Sequence, residues 1–447
     1  MEICTTSHGV LKKIISFSLP YLLSCFMQTL YGMADLFIIG QYNGVESTTA
    51  VSIGSQVMHM LTVMIVGMAM GSTVLIGKSV GGQNRERTAY AIGNTVSLFA
   101  LLSAVITVLL LFAVRPIVAV MSTPEEAISG TVTYLTVCFI GIPFITAYNV
   151  ISSIFRGMCD SKTPMYFVAI ACAANIALDY LFIGALDMGA AGAALGTTLA
   201  QAVSVVISLF VIRRNRMGIS LRYTHLCPKK AIMRELLYVG MPIALQDGFI
   251  QVSFLIITMF ANQRGLEDAA AVGIVEKIIG ILFLVPSAML SAVSALSAQY
   301  IGAKKQDLAH ATLRYAVILS VVFGMFSVIA MQLTADRVVG LFTDDSTVIV
   351  MGGQYMRGYV WDCILAGIHF CFSGYFCACK LSGISFAHNC ASILLARIPL
   401  AYLASKYFTD TLFPMGLATT VGSCISVLIC IMAYLWIGRH QTQMKVT

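Results

Sequence analysis

Twelve runs of mostly apolar residues follow one another along the chain, at 14–39, 48–76, 88–114, 127–153, 164–184, 189–212, 235–260, 269–298, 308–333, 347–375, 385–405 and 414–438. About 20 residues at 1.5 Å each cover the roughly 30 Å hydrocarbon core of a bilayer, so each run can cross as one helix. In lipid the backbone must satisfy its own hydrogen bonds, which leaves a helical bundle as the fold for such a chain. Charged residues make up 11% of the 447, less than half the share in a soluble domain. Between the runs no segment approaches the roughly 50 residues of a soluble domain. An attached nucleotide-hydrolysing or DNA-binding module is therefore excluded within this chain.

Lys12 and Lys13 precede the first run, which contains Leu22, Leu23, Ser24 and Cys25 in the manner of a signal segment. The run continues to Ile39, too long for a signal core, and reads as the first spanning helix. Thirteen cysteines, an odd number, lie mostly inside apolar runs, as do Cys138, Cys172, Cys371 and Cys430, and read as small buried hydrophobes. Cys377 and Cys379 lack the further ligands of a tetrahedral metal site.

Lys and Arg are concentrated in the loops on the side of the amino terminus, most of all between runs six and seven, whereas the opposite loops hold only Arg115, Arg264, Arg337 and Lys406. The positive-inside rule places both termini in the cytoplasm, and the net charge of +7 becomes a sign of topology rather than of nucleic-acid binding.

Residues 44–53 (GVESTTAVSI) and 265–274 (GLEDAAAVGI) share Gly, Glu, Ala, Val and Ile at an offset of 221. The same offset pairs Gly81 with Gly302, Tyr134 with Tyr355 and Phe155 with Phe376, and one further gap pairs Pro20 with Pro242 and Tyr180 with Tyr402. The chain reads as two six-helix copies, 1–212 and 235–447, joined by a basic linker over 213–234 that is partly helical along the inner surface and meets anionic headgroups. Six being even, both copies enter from the same side and are parallel repeats. The fold expected is an all-α membrane protein with twelve transmembrane helices in a two-lobed bundle. Its two halves enclose a central cavity and rock against each other.

The fifth run, Met165–Ile183, carries Asn175 and Asp179. Four residues apart on a helix, they share one face, and an intramembrane carboxylate is a functional-site hypothesis by default. Pro20 favours a kink in the first helix, and Asp35 follows near its outer end. Helical rise brings Asp35, Asp179 and Thr197 to similar depth in the outer half of the amino-terminal bundle. The second half holds Asp247, Gln251, Glu276, Lys277, Arg357, Asp362 and Arg397 within its runs. Glu276 and Lys277 are neighbours that face apart, so their partners lie on other helices, Arg397 or Asp362 among them, in a structural or a substrate-facing network. Gly67 with Gly71, and Gly192 with Gly196, are small-residue pairs for close helix packing. The turns at Gly81 and Gly302 read as glycine caps. Ser72–Ser79 (STVLIGKS) is a near miss to a phosphate loop, without its first glycine and with no strand before it, so ATP binding is rejected and the energy source is an ion gradient. The 24 Met and 24 Phe suit a pliable apolar cavity.

Twelve helices in two repeats, Pro20 with Asp35, ANIALDYLFI with Asn175 and Asp179, Thr197 beyond it, and the paired turns at Gly81 and Gly302 together resemble the multidrug and toxic compound extrusion (MATE) family, its prokaryotic damage-inducible (DinF-like) branch most of all. The resemblance implies a secondary active antiporter of the bacterial inner membrane, with no enzymatic activity and no cofactor, that expels amphipathic or cationic drugs in exchange for protons or sodium and works as a monomer. It carries the ion-coupling role onto Asp35, Asn175, Asp179 and Thr197, where sodium is the one metal expected. Another branch has an acid near Gln251, where this chain has an amide. Two carboxylates away from water cannot both ionise cheaply, so such a pair holds a proton or shares a cation. The alternative is a lipid-linked oligosaccharide or lipid flippase of the same superfamily, which calls for a strongly cationic central cavity, whereas only Lys277, Arg357 and Arg397 are intramembrane cations. An intramembrane aspartyl protease is disfavoured, because neither Asp35 nor Asp179 lies in a Gly-x-Gly-Asp motif.

Overall fold

The computed structural model describes residues 7–215 and 221–446. Its helices are α1 (Ser7–Tyr42), α2 (Val45–Gly81), α3 (Arg85–Val120), α4 (Glu125–Ile140), α5 (Ile142–Gly157), α6 (Lys162–Asp179), α7 (Gly189–Asn215), α8 (Tyr223–Leu226), α9 (Lys230–Arg264), α10 (Leu266–Leu282), α11 (Leu284–Gly302), α12 (Gln306–Val339), α13 (Ser346–Tyr359), α14 (Asp362–Ala378), α15 (Ser382–Ser392), α16 (Ile398–Tyr407) and α17 (Phe413–Val446). Two π-helical segments, Tyr180–Ala185 and Ile393–Arg397, extend α6 and join α15 to α16. Among the described residues ten helices are long and apolar enough to cross a membrane, and two bent pairs, α4 with α5 (50°) and α13 with α14 (40°), bring the spans to twelve. This is an all-α membrane protein. The middle of the sequence-derived linker, 216–220, lies outside the described residues.

The internal repeat is written into the backbone. Four helices end in the same motif, in which a left-handed residue lets the next amide reach back five positions to a carbonyl: Gln83 (φ 54°) with Asn84 to Ser79, Cys159 (φ 59°) with Asp160 to Phe155, Lys304 (φ 59°) with Lys305 to Tyr300, and Lys380 (φ 62°) with Leu381 to Phe376. Gln83 and Lys304, and likewise Cys159 and Lys380, are 221 residues apart. The expected glycine caps are thereby corrected: Gly82 follows α2 with φ −78°, and the left-handed position falls to Gln83 and Lys304.

By packing, the chain forms two compact units. One is Leu19–Ala244; the other joins the start of α1, up to Ser18, to the chain from Leu245 onward. Both seams fall inside unbroken helices, two residues from Pro20 and from Pro242. This partition differs from the sequence-symmetric halves 1–212 and 235–447 in the starts of α1 and α9. Within the second unit, Lys13 Nζ lies 5.8 Å from the Tyr300 ring centroid. Within the first, the start of α9 is laid against α2 backbone to backbone: a Cβ on Gly71 would strike the Leu236 carbonyl, and one on Gly240 the Met68 carbonyl.

Neither backbone can yield without moving a whole helix. Gly71→Val should therefore destabilise the protein by about 1–3 kcal/mol, read as a lower melting temperature in detergent, whereas Gly32→Ala, whose Cβ would meet nothing within 4 Å, should leave it near wild type.

Candidate functional site

In the first unit α1, α6 and α7 bring four of the sequence-derived residues together. Thr197 Oγ1 donates to Asp35 Oδ2 at 3.2 Å. Asp179 and Asn175 both stand within hydrogen-bonding reach of the Asp35 carboxyl. Asp35 is 6% exposed, Asn175 1% and Asp179 0%. Among the described residues, Asp35 Oδ1, both Asp179 oxygens and both polar atoms of the Asn175 amide find no well-aligned partner. The chemistry explains this. Ionised carboxylates only accept hydrogen bonds, so two of them placed face to face cannot satisfy each other. A proton between them converts one into a donor; a cation takes the oxygens as ligands. Asp35, Asp179 and Asn175 supply hard oxygens of the kind sodium needs, so the residues fit either ion.

Several supporting residues were not legible as site residues. In the sequence Gly196 looks like a packing glycine, yet a Cβ there would run into Asp179 Oδ1. Its missing side chain is what seats the carboxyl against α7. The π-helical turn Tyr180–Ala185 begins immediately after Asp179, with Leu186 N reaching Leu181 O at 3.0 Å; such turns recur at functional sites. Tyr31 and Gln201 stand within reach of each other, and the buried Tyr134 ring packs against the bare backbone of Gly54. Pro20 lies within continuous helix, and its carbonyl accepts from Ser24 Oγ at 2.9 Å.

The second unit holds a different cluster. Arg397, 8% exposed, donates through Nη2 to the Tyr359 hydroxyl at 3.0 Å and stacks 4.5 Å from the Phe254 ring centroid. Glu276 accepts from Thr258 Oγ1 at 3.3 Å. Glu276 and Asp362 both feel the Arg397 charge, yet among the described residues neither is in ion-pair contact with it, and Arg397 Nε, Asp362 Oδ1 and Glu276 Oε1 have no partner. The π-helical turn Ile393–Arg397 aims Arg397 inward, and Pro399, which lacks an amide hydrogen, is the sequence signal that regular helix is interrupted there. Lys277 is exposed and Arg357 is drawn off to Asp336 in a bidentate pair of 3.0 and 2.7 Å. Asp247 and Gln251, one turn apart on α9, are half-buried, Asp247 near Cys377. His388, a buried side chain with no sequence motif around it, sits between Ser373 (2.9 Å) and Ser426 (3.2 Å).

Removing Arg397 strips the buried Asp362 and the half-buried Glu276 of a cation whose field they share. Arg397→Met should lower stability by about 1–3 kcal/mol, and Glu276→Gln in the same chain should recover part of it. A double-mutant cycle on melting temperature measures the coupling.

The MatE family model matches the chain twice, over residues 20–181 and 242–403. These two stretches cover more than half of the chain and stand 222 residues apart. A probable multidrug resistance protein of Bacillus subtilis, YoeA, is 24% identical over 443 residues, 97% of this chain and 95% of its own. The probable multidrug resistance protein NorM of Thermotoga maritima is 28% identical over 412 residues, 89% of this chain and 86% of its own. A solved structure described as the outward-facing conformation of a multidrug resistance MATE family transporter of the MOP superfamily superposes with a TM-score of 0.89 at 22% identity, covering 100% of both chains. With twelve spans, two copies of one unit and a family match in each copy, the chain belongs to the MatE family of membrane transporters.

Proposed function

We propose that this transporter is a secondary active multidrug efflux antiporter of the bacterial inner membrane, with both termini cytoplasmic. It exports amphipathic or cationic organic compounds in exchange for protons or sodium by alternating access. The observation that carries this reading is the buried pair Asp35 and Asp179, two acids that among the described residues have no donor within reach beside Thr197 and Asn175. The names of the relatives, multidrug resistance and multidrug export proteins, point to the cargo.

The cycle follows from charge. Loading from outside with a proton or sodium ion removes one of the pair's two negative charges and eases its enclosure in hydrocarbon-like surroundings; unloaded, it carries the full charge, which favours a hydrated or cation-bound state. Proline-bearing α1, which holds Asp35, and the π-helical turn after Asp179 are the elements that can respond. A cationic drug and the coupling ion then compete for one negative site. That competition is exchange.

Purified protein in vesicles loaded with a fluorescent organic cation, under a proton gradient and a sodium gradient imposed separately, tests the reading. One gradient should drive efflux in wild type, and Asp35→Asn should cut gradient-driven efflux by about tenfold or more while leaving folded protein in the membrane. Normal pumping by that variant would overturn the site. Failure of both gradients in wild type would favour the lipid-linked oligosaccharide flippase, which calls for lipid-linked cargo.

Gly196→Ala probes the seat of Asp179. The added methyl must push the carboxyl off α7, so coupled efflux should fall several-fold with a change in melting stability of no more than about 1–2 kcal/mol. Efflux equal to wild type would show that the position of Asp179 does not matter.

A further inference from the structure

Beyond the ion-coupling residues, the first unit carries a groove where the linker enters α9. Pro228, Lys230, Met233, Arg234, Leu237 and Tyr238 line it, and its volume is about 640 Å³. Lys230, Arg234 and Tyr238 are spaced i, i+4 and i+8 and form one stripe down the helix. At 1.5 Å per residue the charges lie one turn apart and Tyr238 a further turn into the span. Lys230 and Arg234 are exposed, and among the described residues neither is in an ion pair. The acid next in sequence, Glu235, is turned away and engaged at 3.2 Å by Arg87 of α3.

The groove is also held in place. The Asn94 amide on α3 donates to the carbonyls of His225 (3.2 Å) and Cys227 (3.4 Å) and accepts from Lys229 N at 2.6 Å. Lys229 Nζ lies 3.1 Å from the Tyr90 ring centroid. The linker end is thereby fixed to the unit that contains it, and the groove is built before any ligand arrives.

Two unpaired cations above a tyrosine and apolar walls match a membrane lipid with an anionic headgroup, whose phosphate sits at the surface and whose chains run inward. We propose that this groove binds an anionic phospholipid, with Lys230 and Arg234 on the phosphate, Tyr238 at the glycerol level and Met233 and Leu237 against an acyl chain. The orientation proposed above puts it in the cytoplasmic leaflet.

Native mass spectrometry of the purified protein, titrated in detergent with phosphatidylglycerol or phosphatidylcholine, tests it without any transport step. Wild type should retain phosphatidylglycerol preferentially, and Lys230→Gln with Arg234→Gln should reduce that retention by roughly tenfold or more. Lys230→Arg with Arg234→Lys should preserve it. Arg213→Gln with Arg214→Gln, which removes equal charge from the end of α7, should also preserve it. Equal retention of both lipids, retention unchanged by the double Gln variant, or an equal loss in the α7 control would each overturn the site. Displacement of the lipid by millimolar glycerol phosphate would show a free-phosphate site instead. Asp35→Asn should bind lipid as wild type does, so the lipid site and the ion-coupling site fail separately.

Discussion

Hydrocarbon does not tolerate an unanswered carboxylate, and this protein buries two of them face to face. Much of the first unit reads as the accommodation of Asp35 and Asp179. Thr197 supplies a well-formed hydrogen bond, Asn175 an amide within reach, and Gly196 the space. The wider turn after Asp179 loosens the backbone next to the charge. Among the described residues no donor is aligned on the Asp179 oxygens, and that deficit is what the proposed coupling ion would answer.

The second unit shows that one framework can carry two chemistries. The copies share their helix-ending turns at Gln83 and Lys304 and at Cys159 and Lys380, and both break their fourth span, between α4 and α5 and between α13 and α14. At the 222-residue offset of the family matches, Asn175 answers to Arg397 and Thr197 to Thr419, but Asp35 falls on Ile257 and Asp179 on Ala401. The acids have gone from the equivalent places, and a guanidinium stands where the amide was. Glu276 and Asp362 approach that guanidinium from elsewhere, at positions that the 221-residue offset of Tyr134 and Tyr355 pairs with Ser55 and Gly141. The symmetry is one of packing, and the side chains facing inward are free of it.

Most of the fold was legible because lipid simplifies the code: long apolar runs mean helices, and the runs match the spans within a few residues at most ends. The carboxylates of the first unit were legible for the same reason, since Asp179 stands out in an apolar run. What escaped was whatever depends on an absent atom or on register. Gly196 looks like any packing glycine until the Asp179 carboxyl is found beside it. The sequence points to Gly81 and Gly302 for the turns, whereas Gln83 and Lys304 take the left-handed conformation, because the backbone bonds of the motif outweigh the modest cost of a Cβ there. The cluster around Arg397 could be named residue by residue but not assembled, since Lys277 and Arg357 had equal claims until one proved exposed and the other bound to Asp336.

The seams near Pro20 and Pro242 change what holds the molecule together. The segment between the two sequence copies looks like the tether between halves, yet both of its described ends lie in one unit, and the covalent crossings from one unit to the other run through the interiors of α1 and α9. A chain severed between Asn215 and Leu221 would still have both crossings whole. The covalent joints of this transporter are two lengths of helix rather than a strand of loop, and a helix, unlike a loop, transmits torque.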